Sequence, residues 1–110
     1  MKQNTIINKQ HIQNHIYTIR NQQVMMDADL AELYGVETKQ LNKAVNRNIE
    51  RFPERFTFQL TQKEYDDLRF QNGTLSSKHG GRRYLPYMFT EQGSKIIFNV
   101  EFLILNGIVV

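Results

Sequence analysis

The sequence predicts a single α+β domain built on a pair of helices, with small β-hairpins and further helices around the pair. Three observations predict this class. Two short amphipathic segments flank a glycine between Asp27 and Asn48, stretches with the features of β-strands lie on both sides of them, and the length of 110 residues suits one modest core. We expect a flexible arm over residues 1–14, the folded domain over residues 15–95, and an apolar C-terminal tail over residues 96–110.

Composition narrows the classes of protein that the chain can belong to. The net charge of +3 is compatible with an anionic partner, and 40% hydrophobic residues argue against wholesale disorder. The absence of cysteine excludes disulfides and thiolate metal sites. With no apolar run of signal-peptide or membrane-span type, we expect a cytoplasmic protein without a membrane segment.

The first elements follow from local patterns. Residues 1–14 are rich in Asn, Gln and Lys and show no sustained periodicity, which predicts a flexible arm. From His15 to Met26, strand-favouring residues flank Arg20-Asn21-Gln22, and this pattern predicts a hairpin with its turn at those three residues.

The central stretch, DADLAELYGVETKQLNKAVNRN, has the outline of a helix-turn-helix. Asp27 suits an N-cap, and Gly35 can adopt a positive φ at little cost and so end the first helix after Tyr34. A second helix from about Thr38 to Asn48 places one apolar stripe inward, formed by Leu41, Ala44, Val45 and Ile49. Five positions are expected to face the interior of the pair, and Ala31 is expected at its closest approach. The five are Leu30, Tyr34, Val36, Leu41 and Ala44.

The rest of the chain predicts one more helix between two strands, and then a last helix. Phe56 to Leu60 alternate as a strand does, and Thr61-Gln62-Lys63-Glu64 fits a capping box that starts a helix through about Phe70. Residues 72–81 have the composition of a loop. Arg82 to Phe89 have the composition of a strand, and Pro86 within it predicts a strand at the edge of a sheet or at a bend. Thr90 suits the N-cap of a helix from Glu91, which Gly93 is expected to weaken.

Two basic features are candidate sites. The outer side of the second helix carries cations and amides that can reach phosphates or base edges, although an ordinary amphipathic hairpin also has a solvated charged face. The run from Arg69 to Arg83 contains four cations and no acid, so it suits either phosphate binding or a solvated loop.

Other residue patterns argue against catalysis and metal binding. His11 and His15 are spaced as helical metal ligands are, but they lack the glutamate of the zinc-protease motif and fall in or beside the arm. Ser76, Ser77 and His79 have no acidic residue nearby to orient them. We therefore expect no enzyme, no metal and no cofactor.

Two strings make the chain resemble a known family. VMMDADLAELYGVETKQLNKAVNRNIERFPERFTFQLT and GGRRYLPYMFTEQG look like the ORF-six-N domain, the DNA-binding N-terminal module of phage and prophage antirepressor-type proteins, which is related to the KilA-N domain. The resemblance covers about Ile16 to Gly93. It implies a prokaryotic or phage origin, a DNA-binding role and a variable C-terminal domain after the module. The family normally continues into an amphipathic helix, whereas SKIIFNVEFLILNGIVV leaves little polar face. We expect this tail to be truncated, to be buried in a dimer or against another partner, or to promote aggregation.

The sequence therefore predicts the DNA-binding domain of a phage-type transcriptional regulator or antirepressor, with double-stranded DNA as its partner. The second helix would enter the major groove. Base-edge contacts are predicted for Thr38, Lys39, Asn42, Lys43 and Asn46, and phosphate contacts for Arg47, Arg82 and Arg83. The alternative is a protein-interaction module that binds a repressor or forms a homodimer without contacting DNA.

Overall fold

The computed structural model describes residues 15–71 and 84–108. The predictions for the arm, the loop at 72–81, Arg82, Arg83 and the last two residues lie outside these ranges. The elements in chain order are β1 Ile16–Ile19, β2 Gln22–Met26, α1 Asp27–Leu33, α2 Thr38–Arg47, a 3-10 turn Ile49–Arg51, β3 Thr57–Gln59, α3 Gln62–Gln71, β4 Tyr87–Phe89, α4 Glu91–Ile97 and α5 Val100–Leu105. Five α-helices and a four-stranded sheet in the described ranges confirm the α+β class.

The sheet is antiparallel throughout, with strand order β1-β2-β4-β3. The predicted hairpin is confirmed, and both residues of its tight turn have positive φ, 56° at Arg20 and 63° at Asn21. Two positive φ values in a two-residue turn match the right-handed twist of the strands. The last strand is not at an edge, because β4 pairs with both β2 and β3. Pro86 lies just before β4, and so its lack of a backbone N–H removes no hydrogen bond from the sheet.

The sheet separates two hydrophobic cores, as the alternation of side chains along its strands requires. Met25 and Phe89 point to the core shared with α1, α2, α4 and α5. Val24, Met26 and Met88 point to the opposite core, which α3 covers. The helices on the two faces of the sheet therefore present separate surfaces to solvent.

Helix α3 begins with the predicted capping box. The Thr61 N–H donates to the Glu64 carboxylate at 2.8 Å, and the Glu64 N–H donates to Thr61 Oγ1 at 3.1 Å. The same carboxylate accepts two bonds from Arg20 at the hairpin turn, at 2.8 and 3.0 Å. This pair of charges joins the β1–β2 turn to α3.

The apolar C-terminal segment packs on the domain's own core. Phe102 and Ile108 are 1% and 2% exposed, and they lie in the same core as the residues of α1 and α2. The predicted division between residues 95 and 96 falls inside α4. Gly93, expected to weaken this helix, is instead where α4 approaches the chain before β3, since a Cβ there would overlap the Phe56 carbonyl oxygen.

Candidate nucleic-acid interface

The helical pair is formed by α1 and α2, joined through Gly35. Gly35 has φ +67°, and its N–H donates to the Glu32 carbonyl at 3.1 Å, while the Val36 N–H donates to the Ala31 carbonyl at 3.0 Å. These bonds close the end of α1 through a left-handed residue, which glycine adopts without a Cβ penalty. The predicted turn at Gly35 is confirmed, and Ala31 is buried as expected.

The buried stripe of α2 is shorter than the sequence predicted. Leu41, Ala44 and Val45 are buried, but Ile49 is 57% exposed, so its predicted interior position is wrong. The reason is that α2 ends at Arg47 and the chain continues as a 3-10 turn, which rotates Ile49 outward. Phe52 enters the core instead, and its ring meets the rings of Phe89 and Phe102 edge-on.

Asp27 connects α1 to two other elements. It is the first residue of α1 rather than its N-cap, which is Met26. One carboxylate oxygen accepts the Ala28 N–H at 2.7 Å, and the other accepts Asn42 Nδ2 at 3.0 Å and the Tyr87 N–H at 3.2 Å. A fully buried carboxylate that receives three N–H donors fixes α2 and β4 relative to the start of α1.

The face of α2 opposite the buried stripe is basic. Lys39, Lys43 and Asn46 are exposed there, and no acid occurs between Thr38 and Arg47. At ~100° per residue these three side chains project from one side of the helix, away from the buried stripe. We call this set, Lys39, Lys43 and Asn46, the outer face of α2.

The other predicted contacts lie beside the outer face or outside the described ranges. Thr38 and Asn42 are half-buried on the side toward α1, and the Asn42 amide is engaged by Asp27. Arg47 is exposed on the other side. Arg82 and Arg83 are not among the described residues. The structure therefore brings four of the predicted contacts to solvent on α2: Lys39, Lys43, Asn46 and Arg47.

The end of α5 flanks the outer face of α2, a contact that the sequence analysis missed. The Asn106 side-chain oxygen accepts from Arg47 Nη2 at 3.3 Å and from Asn48 Nδ2 at 3.1 Å. Gln40 Nε2 donates to the Gly107 carbonyl at 3.3 Å. These partners are 59, 58 and 67 residues apart in sequence, so no local pattern could have indicated them.

A comparison with protein-family models matches the ORF6N domain over residues 14–100. The chain belongs to the ORF6N family. The match includes the helical pair, the whole described sheet and α4, and it confirms the resemblance carried by the two sequence strings. No curated protein and no solved structure matches this ORF6N chain. Across the described ranges, its helices are all too short or too polar to cross a membrane.

Proposed function

We propose that this ORF6N domain binds double-stranded DNA, in the cytoplasm, as part of a phage- or prophage-type transcriptional regulator or antirepressor. The observation that carries the proposal is the outer face of α2, which is exposed, basic and free of acids. Family membership is consistent with a phage-type regulatory role. The function needs no catalytic group, metal or cofactor.

In the proposed complex, the pair α1–α2 acts as a helix-turn-helix and α2 lies in the major groove. Helices of this kind use residues near their N-terminus and along one side for base edges, while the flanking elements contact phosphates. Lys39 and Lys43 are one turn apart and suit guanine edges or phosphates, and Asn46 suits adenine. We assign Asn42 to positioning α2, because its amide already donates to Asp27.

The test is DNA binding at two salt concentrations, measured by fluorescence anisotropy on genomic fragments. The parent chain should lose affinity steeply as salt rises, because phosphate contacts release counterions. Lys39→Ala/Lys43→Ala should bind at least about tenfold more weakly. The matched control is Lys63→Ala/Lys95→Ala, which removes the same charge from exposed positions on α3 and α4. Equal binding by the two double variants would rule out α2 as the DNA-reading helix.

A second candidate function is protein binding without DNA contact, and the exposed side of α5 favours it. Val100, Ile104 and Leu105 are 64%, 58% and 75% exposed, although their neighbours Phe102 and Leu103 are buried. An apolar strip of this kind suits a second copy of the chain. Sedimentation of the parent and of Ile104→Lys/Leu105→Lys tests this, since only the parent should then form a dimer. A monomeric parent at high micromolar concentration would exclude the homodimer.

A further inference from the structure

We propose that His15, Asp29 and Glu32 form a binding site for a first-row divalent transition cation such as Zn²⁺. One imidazole nitrogen and two carboxylate oxygens from these residues all lie within 4.8 Å of one another. His15 precedes β1, whereas Asp29 and Glu32 belong to α1, so the three ligands join two elements. The site is distinct from the outer face of α2, and the inference does not depend on DNA binding.

The geometry needs only a small contraction to hold an ion. His15 Nε2 lies 4.0 Å from Asp29 Oδ1. Tetrahedral coordination at about 2.0–2.2 Å places neighbouring ligand atoms about 3.4 Å apart. Asp29 and Glu32 are three residues apart and share one side of α1. The Glu32 side chain is exposed and can rotate inward to complete the set.

The burial of Asp29 is the second observation that points to a cation. Its side chain is only 2% exposed, and a buried carboxylate is costly unless a positive group or hydrogen bonds stabilise it. Asp29 lies beside the His15 imidazole and accepts a hydrogen bond from Tyr17. An imidazole nitrogen together with carboxylate oxygens is a ligand set that Zn²⁺ and similar cations accept.

Tyr17 orients the Asp29 carboxylate from β1. The Tyr17 side chain is hydrogen-bonded to Asp29, with the phenol O–H donating and the carboxylate accepting. Hydrogen bonds of this kind hold ligating carboxylates in position in metal sites.

A bound ion would fasten the start of β1 to α1, and so add stability that increases with its concentration. The exposed Glu32 leaves a path for entry from solvent, and a water molecule can fill the fourth position. The ligand set, with its nitrogen donor, favours Zn²⁺ or Co²⁺ over Mg²⁺, which prefers oxygen ligands in octahedral geometry.

The experiment titrates chelator-treated full chain with ZnCl₂ and CoCl₂, by calorimetry and by the visible absorption of Co²⁺. We expect one ion per chain, a higher melting temperature with Zn²⁺, and Co²⁺ bands of tetrahedral intensity. Glu32→Gln, which changes an exposed group and leaves the fold intact, should weaken binding at least about tenfold. His15→Gln should do the same.

Three matched controls should bind like the parent: His11→Gln and His79→Gln, which remove the other histidines, and Glu37→Gln, which neutralises another exposed acid near α1. Absence of binding in the parent would overturn the proposal. So would an equal loss of affinity in His11→Gln or His79→Gln, because the ion would then be held elsewhere.

Discussion

Asn42 donates its side-chain N–H to the buried carboxylate of Asp27 at 3.0 Å, and this bond links α2 to the first residue of α1. The same carboxylate oxygen accepts the Tyr87 N–H of β4. Asn42 points inward from α2, and we expect its bond to Asp27 to help hold the helix so that its outer face is turned to solvent. The sequence alone predicts Asn42 as a DNA contact.

Replacing Asn42 should therefore affect stability as well as any binding. Asn42→Ala removes a donor to a buried charge, and we expect the free energy of unfolding to fall by about 1.5–3 kcal/mol in urea denaturation. Asn46→Ala, an exposed change on the same helix, should stay within about 0.5 kcal/mol of the parent. Equal stability of the two variants would contradict the positioning role.

Gly35 is expected to be required for its backbone conformation alone. A Cβ at Gly35 would meet no atom within 4 Å, so the cost of a side chain comes from φ +67°. Gly35→Val should lose about 1–3 kcal/mol of unfolding free energy. Gly35→Asn should lose less, because asparagine tolerates the left-handed region. Thermal melting checks both, and an unchanged melting temperature for the valine variant would remove the turn assignment.

The ion pair between Arg20 and Glu64 predicts a loss of stability in acid. The Arg20 guanidinium, together with the Thr61 N–H, lowers the pKa of Glu64 from 4.5 to about 2. A depressed pKa in the folded state means that the pair stabilises the protein above pH 4.5 and that this contribution disappears as the pH falls toward 2. Because both side chains are partly exposed, 37% and 25%, the effect should be small.

Urea denaturation at about pH 7 and about pH 2.5 measures this contribution. Arg20→Met should be less stable than the parent at neutral pH, and the difference should shrink in acid. Lys63→Met is the control for loss of one positive charge, since it breaks the more exposed pair with Asp67. A difference between Arg20→Met and the parent that is the same at both pH values would assign the effect to the contact of Arg20 with the Phe58 ring.

Variants that lose a base contact and variants that lose a phosphate contact should differ in how their DNA affinity depends on sequence and on salt. Arg82→Ala/Arg83→Ala should weaken binding to all sequences alike, and should reduce the slope of log affinity against log salt by about 0.9 for each phosphate that is no longer bound. Lys39→Ala should cost ~1–3 kcal/mol on the preferred site and little on random DNA. If all these variants bind like the parent, the protein-interaction alternative becomes the better account.

The C-terminal segment should stabilise the domain through its buried side chains. Phe102→Ala is expected to cost about 3–5 kcal/mol of unfolding free energy, because the ring lies in the core against Phe52. Leu105→Ala, on the exposed side of the same helix, should change stability by less than about 0.5 kcal/mol. Similar effects for both would mean that α5 does not pack on the core through Phe102.

The sequence by itself determined the features whose causes are local. The glycine turn, the reciprocal capping box at Thr61 and Glu64, the hairpin turn at Arg20 and Asn21, and the stripe of Leu41 and Ala44 each depend on residues within a few positions of one another. Backbone propensity, hydrogen bonding and periodicity act at that range, and so these elements could be predicted.

Only the tertiary structure decided which way the polar side chains face and where the tail goes. Asn42 turns inward because Asp27, fifteen residues away, offers a buried acceptor, and Asn106 reaches Arg47 of α2 across 59 residues. Gly93 has to be small because the Phe56 carbonyl lies against it. His15 comes close to Asp29 for the same kind of reason, since packing of β1 beside α1 brings them together. The packing of segments that are distant in sequence determines such partners, and so a local sequence pattern cannot predict them.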